Sequence, residues 1–506
     1  DLLGNRSLAV IRDALAAIAR HTGRQIDYAA WDPLTDARTS ALIRHSDTMG
    51  CFYVESPATR LLLKKLWTTM PAAQQAQADD FEYLTIVSSM IRPAAHRFAD
   101  DFIRRAHGQP YRALHPTLHD ALSETFGIMV YQEDVMKVAV ALGGFSIEDG
   151  DQLRKILSKK HKQRQLRDYQ RQFCAGALAR GAELRAIEQI WAMIMSFAGY
   201  SFCKPHSASY AQVSFKSAYL RAHYPAEFMA AVISNQGGFY STFAYVSEAR
   251  RMGLTIQPPD LNESDWAYQG REKNLRVGLM QIKGLRKEVV DDVMAKRAAQ
   301  GPFRSLQDFL ERVGPDPSQV RLLIKAGCFD RLAGELTRPA LLWRLLAWRE
   351  HSPPRYLPIP PEYSLSRLIA EEIETFGFPL RCHPLDLVPA GHVPPTVVPA
   401  CDMAHYIGHS ITMMGALITE KVVHTKQGDP MEFVSFEDLS GLYDATIFPD
   451  LYRKTCHLLD TNCVYVIEGR VEAHFAAVTL TVTAIRKASY RRGAQPADLP
   501  VGSPIG

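Results

Sequence analysis

After Ser410 the hydrophobic period of the chain changes, and that change limits the fold more than any other feature. Residues Ile411 to Ile418, Glu432 to Glu437, Tyr443 to Phe448, Val464 to Val471 and Val478 to Ile485 read as short strands with alternating side chains. A helix from about Asp450 to Leu458 falls between the third and fourth. Five short strands with a helix at that point predict an OB barrel. Such barrels hold single-stranded nucleic acid through basic and aromatic residues, for which Lys421, Lys426, Tyr443, Arg470 and Phe475 are the candidates. A purely structural barrel fits the alternation equally well. Ahead of it the chain reads as helical, so the expected fold class is multidomain: a mainly α region, tandem helix-hairpin-helix units, then the β-barrel.

Net charge is only +4 over 506 residues, so any surface for nucleic acid is local. No apolar run approaches the roughly 20 residues of a membrane helix, which predicts a cytoplasmic protein without a membrane partner. The eight cysteines are scattered with no Cys-x-x-Cys pair and read as thiols, neither a disulfide framework nor a zinc site.

Three stretches carry chemistry. The run from Ser196 to Tyr210 brings Tyr200, Phe202, Lys204 and His206 together just ahead of a helix expected to start near Ser207; rings stack on bases, while cations and helix N-termini hold phosphates. A helix hairpin with aromatics in its core accounts for the same residues. The densest cationic stretch runs from Arg154 to Arg167; Leu153, Ile156 and Leu157 anchor its helical start, so Arg154 and Lys155 project from a held turn and Lys159, Lys160 and Lys162 are exposed. From Val277 to Val290 the pattern reads helix, Gly-centred hairpin, helix, with a partner turn from Ile324 to Asp330. Such hairpins grip DNA backbone through amides and nearby cations, here Lys283, Arg286 and Lys287. Residues 335 to 365, rich in Pro, read as a linker. Gly127 to Tyr131 reads as a short strand leading into a helix whose Gln132 and Glu133 either face a site or pack and cap.

The run from Phe197 through Met229, with its Gly-Tyr-x-Phe-x-Lys-x-His block at Gly199 to His206, closely resembles the fingers region of the bacterial C-family DNA polymerases. Asp1-Leu2-Leu3-Gly4, Gly50 to Ser56, Ile91-Arg92-Pro93, Thr125 to Val135 and Leu153 to Lys160 resemble further blocks of that family, and the resemblance covers most of residues 1 to 490. It implies 1–15 as the end of the palm, 16–265 as fingers, 266–335 as tandem helix-hairpin-helix units, 336–405 as a connecting segment, 406–490 as the OB domain and 491–506 as a disordered tail. It implies that Asp1 is one of three carboxylates holding two Mg²⁺ ions, the other two lying outside the chain, which would then be a fragment inactive alone. Arg154 and Lys155 would hold the triphosphate, Tyr200 and Phe202 would contact the sugar and base, and Lys204 and His206 would lie near the triphosphate.

The implied activity is template-directed addition of deoxynucleotides to a primer 3′ end. Implied partners are primer-template DNA and deoxynucleoside triphosphates, and a sliding clamp or accessory mutagenesis proteins are further candidates. Arg92-Pro93-Ala94-Ala95 departs from the family's Arg-Pro-Gly-Pro, no clear clamp-binding peptide is found, and the letters of Gln307 to Leu310 fall where Phe309 and Leu310 should pack. These departures, together with Cys203-Lys204-Pro205-His206, favour an accessory, error-prone role over bulk replication. The alternative is a non-catalytic DNA-binding protein that keeps the hairpins and barrel.

Overall fold

The computed structural model describes residues 6–91, 97–157, 163–197, 203–349, 358–461 and 463–488. It divides into two compact units. One holds 30–222 with 474–477; the other holds 1–29, 223–473 and 478–506.

The first unit is helical, and local chemistry sets several of its helix starts. Ser56 caps the helix Pro57–Trp67, which has proline in its first turn, and Asp79 accepts from the Phe81 and Glu82 amides to start Asp80–Met90. Helices Gln132–Ala141, Ile147–Leu157, Gln163–Ala179 and Leu184–Ser196 enclose a core that includes Val138, Leu142, Phe173, Ile187, Ile190 and Ile194. The expected strand at Gly127 to Tyr131 is absent. Its last two amides, of Val130 and Tyr131, donate instead to Asp134 Oδ2 at 2.9 and 2.8 Å, so they cap the following helix and are not free for a ladder.

The long helix Lys204–His223 starts three residues earlier than expected. The loop from Gly50 to Ser56 docks on it: Ser214 Oγ donates to the Phe52 carbonyl at 2.8 Å, and Ser217 Oγ accepts from the Phe52 amide at 3.1 Å. Arg221, buried, donates to the Asp47 and Met49 carbonyls.

In the second unit helix Arg6–Thr22 buries Val10, Ile11, Ala14 and Ile18 and packs on helix Pro225–Asn235. Strands β1 (Thr255–Gln257), β2 (Gln269–Arg271) and β3 (Asn274–Arg276) form a small sheet with β3 central, parallel to β1 and antiparallel to β2. Only the second arm of the first predicted hairpin is a full helix, Lys287–Gln300; the first arm is a single 3₁₀ turn, Leu279–Gln281. The amides of Leu279 and Met280 donate to the Asp265 and Trp266 carbonyls, which ties this arm to the chain before β2 and removes the donors a longer helix would use. The expected linker also contains structure, the helix Arg338–Arg349, because Arg338 is buried and paired with Asp330. Helix Leu365–Phe376 follows.

The barrel is closed, in the order β4-β5-β6-β8-β7, from β4 (Ser410–His424), β5 (Pro430–Glu437), β6 (Leu442–Ile447), β7 (Val464–His474) and β8 (Ala477–Lys487), with helix Pro449–Thr455 between β6 and β7. This is the OB arrangement. Strand β4 pairs with β7 over its first half and with β5 over its second, and the register shifts between Leu417 and Thr419 where it turns the corner. Gly415 sits at that corner, where a Cβ would lie 2.5 Å from Tyr443 Oη. Tyr443, expected as a contact for nucleic acid, is instead core: it is buried and stacked on Phe436 at 5.6 Å. Its alternation with the half-buried Leu442 and Asp444 places it on the inner face, where its ring fills the barrel.

Candidate nucleotide and nucleic-acid interface

Two of the helical unit's cation-bearing elements meet at the start of helix Gln132–Ala141. Helix Ile147–Leu157 buries Leu153, Ile156 and Leu157, which leaves Arg154 and Lys155 on its outer side. Arg154 donates through Nη1 to Gln132 Oε1 at 3.1 Å and through Nε to Asp151 Oδ1 at 2.9 Å; Lys155 Nζ lies 2.7 Å from Asp151 Oδ2. The hydrogen bond from Lys155, then that from Arg154, holds the Asp151 carboxyl below the usual carboxylate range.

Lys204 opens its helix with its backbone N–H donating to Glu133 Oε2 at 3.1 Å. That bond explains the early helix start, since Glu133 takes one of the donors that a helix leaves unpaired at its first turn. Lys204 Nζ lies 3.2 Å from Glu82 Oε2 and 3.3 Å from Glu124 Oε2. Burial alone would lower the pKa of the ammonium, but the hydrogen bond and charge of Glu82, then of Glu124, outweigh it and hold the group above its usual range.

Gln132 and Glu133 are consecutive, so one helical turn ties the guanidinium of Arg154 to the N-terminus that carries Lys204. His206 packs its ring 4.2 Å from that of Tyr210, which meets Tyr53 at 4.9 Å and Phe52 at 5.1 Å. Cations fixed on two elements, one at a helix N-terminus, suit an anion with several phosphates. Asp1, Lys159, Lys160, Lys162, Tyr200 and Phe202 lie outside the described residues, as does Arg92-Pro93. Among the described residues no group of three or more His, Cys, Asp or Glu side chains is placed to hold a metal ion.

Sequence reasoning missed the counter-ions. Asp151 could have been found, because it lies three and four residues before the two cations on one helix. Glu82 and Glu124 reach Lys204 from distant parts of the chain and leave no local signal.

In the second unit the first hairpin turns at Gly284, whose φ of +81° is the left-handed region that favours glycine. Gln319 stitches it down, accepting the Arg286 amide at 2.8 Å and donating to the Gly284 carbonyl at 3.2 Å. Lys283, Arg286 and Lys287 are all exposed around this turn, with Lys287 paired to Asp291. The partner turn at Gly327 differs. Its Lys325 is buried and bonded to Glu374, and Arg338 occupies the space beside Gly327. The first hairpin is thus the one that presents cations. On the barrel Lys421, Lys426 and Arg470 are exposed and Phe475 is half-buried at the β7–β8 turn. Phe433, not singled out from the sequence, is exposed on β5 directly opposite Lys421.

The chain thus combines a helical unit whose cation-bearing helices meet, a Gly-centred hairpin that presents cations and a five-stranded OB-type barrel. Residues 7–181 match the bacterial DNA polymerase III alpha subunit finger domain, and 253–340 match the helix-hairpin-helix motif. The chain is similar to the DNA polymerase III alpha subunits of Aquifex aeolicus (31% identity; 93% of this chain, 40% of the relative) and Neisseria meningitidis serogroup B (32%; 93% and 42%). It is also similar to that of Staphylococcus epidermidis (29%; 93% and 44%). It belongs to the bacterial C-family DNA polymerases and spans about two fifths of the length of these curated relatives, corresponding to their C-terminal part. Among the described residues no helix is long and apolar enough to cross a membrane.

Proposed function

We propose that the chain is the C-terminal portion of a DNA-directed DNA polymerase that adds deoxynucleotides to a primer 3′ end. The observation that carries this reading is the tie between Arg154 and the Lys204 helix through Gln132 and Glu133. Arg154, Lys155 and Lys204 bind and orient the triphosphate, His206 lies beside it, and Tyr200 and Phe202 screen the sugar and base. Lys159, Lys160 and Lys162, with Lys283, Arg286 and Lys287, hold the DNA backbone without reading sequence. Asp1, with carboxylates outside this chain, would hold two Mg²⁺ ions, which would supply Lewis-acid activation for nucleotidyl transfer; the chain alone binds DNA without extending a primer.

The departure at Arg92-Pro93-Ala94-Ala95, the Cys203-Lys204-Pro205-His206 variant and the lack of a clear clamp-binding peptide support an accessory, error-prone member. A sliding clamp or accessory mutagenesis proteins are its candidate partners.

Primer extension by the longer natural protein tests the reading. Arg154→Ala should raise the KM for deoxynucleotides by about ten- to a hundred-fold, the loss of one charge-assisted contact, with little change in DNA affinity. Asp1→Asn should abolish extension while DNA still binds. Full activity in both variants would refute the assignment.

A further inference from the structure

Lys204 is held by carboxylates from two separate elements. Glu82 comes from helix Asp80–Met90 and Glu124 from the 3₁₀ turn Ser123–Thr125, while the start of the Lys204 helix is pinned by Glu133 on a third. Lys137 also approaches Glu124, at 3.8 Å, and Asp134, at 3.6 Å. The ammonium is about a third exposed and the two carboxylates about half exposed, so the contact is reachable from solvent and can open without unfolding anything. Both partners sit at element ends, where side chains rotate without disturbing the core: Glu82 is in the first turn of its helix and Glu124 in a single 3₁₀ turn. The backbone at Lys204 stays anchored through Glu133 whichever way the ammonium points.

We propose that Glu82 and Glu124 form an electrostatic latch on Lys204, so that a triphosphate enters the site by taking over an ammonium that the carboxylates release, and the latch sets the affinity of the site. The inference rests on the reading of Arg154, Lys155 and Lys204 as triphosphate contacts, and deepens it by assigning a role to two residues that touch no phosphate. An intramolecular carboxylate pair is a permanent competitor: a ligand bearing one charge gains little by displacing it, whereas a chain of phosphates already held by Arg154 and Lys155 displaces it at high local concentration.

The test is titration of the 506-residue chain with inorganic tripolyphosphate at low salt. Glu82→Gln with Glu124→Gln should bind it about three- to ten-fold more tightly than the unaltered chain, the range set by two partly exposed ion pairs. Repeated in a Lys204→Met background, the same two substitutions should change affinity by less than about two-fold, because the group they release is gone. Unchanged or weaker binding by the glutamine variant, at an unchanged melting temperature, overturns the latch. So does an equal gain in the Lys204→Met background, which would mean that only bulk negative charge was removed. Arg154→Ala separates the two levels. If it leaves tripolyphosphate binding intact, the phosphate site itself is misplaced; if it weakens binding while the glutamine variant gains nothing, the site stands and the latch alone fails. Should the double variant not fold, Glu82→Gln alone carries the same comparison with about half the gain in free energy, or about two- to three-fold in affinity.

Discussion

Glu437, at the end of β5, is fully buried and joins two other elements of its unit to the barrel. Its Oε2 lies 3.0 Å from Arg251 Nη1 on helix Thr242–Arg251, and its Oε1 lies 3.1 Å from His383 Nε2. Substituting Glu437→Leu keeps comparable volume but removes both acceptors. Breaking a buried pair by deleting one partner costs about 3–5 kcal/mol. Two features of the structure place this case at the low end, about 3 kcal/mol. Arg251 retains Glu248 at 2.9 Å, so its charge is not stranded, and His383 keeps the bond between its Nδ1 and the Leu385 amide. At about 1.4 kcal/mol per factor of ten, amides of β5 and of helix Thr242–Arg251 should exchange hydrogen roughly a hundred-fold faster. Helix Leu184–Ser196, in the other unit, serves as the internal reference. Acceleration below about five-fold in the first two segments would show that Glu437 is not what holds them together. Equal acceleration in Leu184–Ser196 would show a general loss of fold and refute the local argument.

The hairpin cations should act on DNA through phosphates alone: Lys283→Ala, Arg286→Ala and Lys287→Ala together should weaken duplex binding for every sequence and reduce the salt slope by up to about 3. A slope unchanged by the triple substitution takes the Gly284 turn out of the footprint. Inside the barrel, burial pushes the Glu432 carboxyl up to about 7, with Glu420 adding to it. A raised folded pKa gives stability that is complete below the unfolded value near 4.5 and is lost as pH rises through about 7. Glu432→Gln should therefore melt like the unaltered protein at pH 4 and higher than it at pH 8, and identical melting at both pH values would contradict the burial argument.

Period and composition, which are local properties, were enough to read several levels of this protein from its residues. The alternation after Ser410 specified five strands because each must bury one face, and an inserted helix at the right place made the barrel the consistent closure. Leu153, Ile156 and Leu157 likewise determined which side of their helix is buried and so which way Arg154 and Lys155 project.

What the residues could not reveal is where partners come from when they are far apart in the chain. The strand expected at Gly127 to Tyr131 and the late helix start near Ser207 both failed because a carboxylate, Asp134 in one case and Glu133 in the other, takes amides that local propensity assigned elsewhere. Tyr443 looked like a ring for stacking on a base until barrel closure put it against Phe436 and Gly415. Glu82 and Glu124 carry no pattern at all, since an ion pair formed across 80 or more residues depends only on how the helices pack. The sequence by itself determined the strands of the barrel and the side of helix Ile147–Leu157 on which Arg154 and Lys155 lie; only the tertiary structure decided which carboxylates Lys204 faces, because counter-ions from distant parts of the chain are chosen by distance in space.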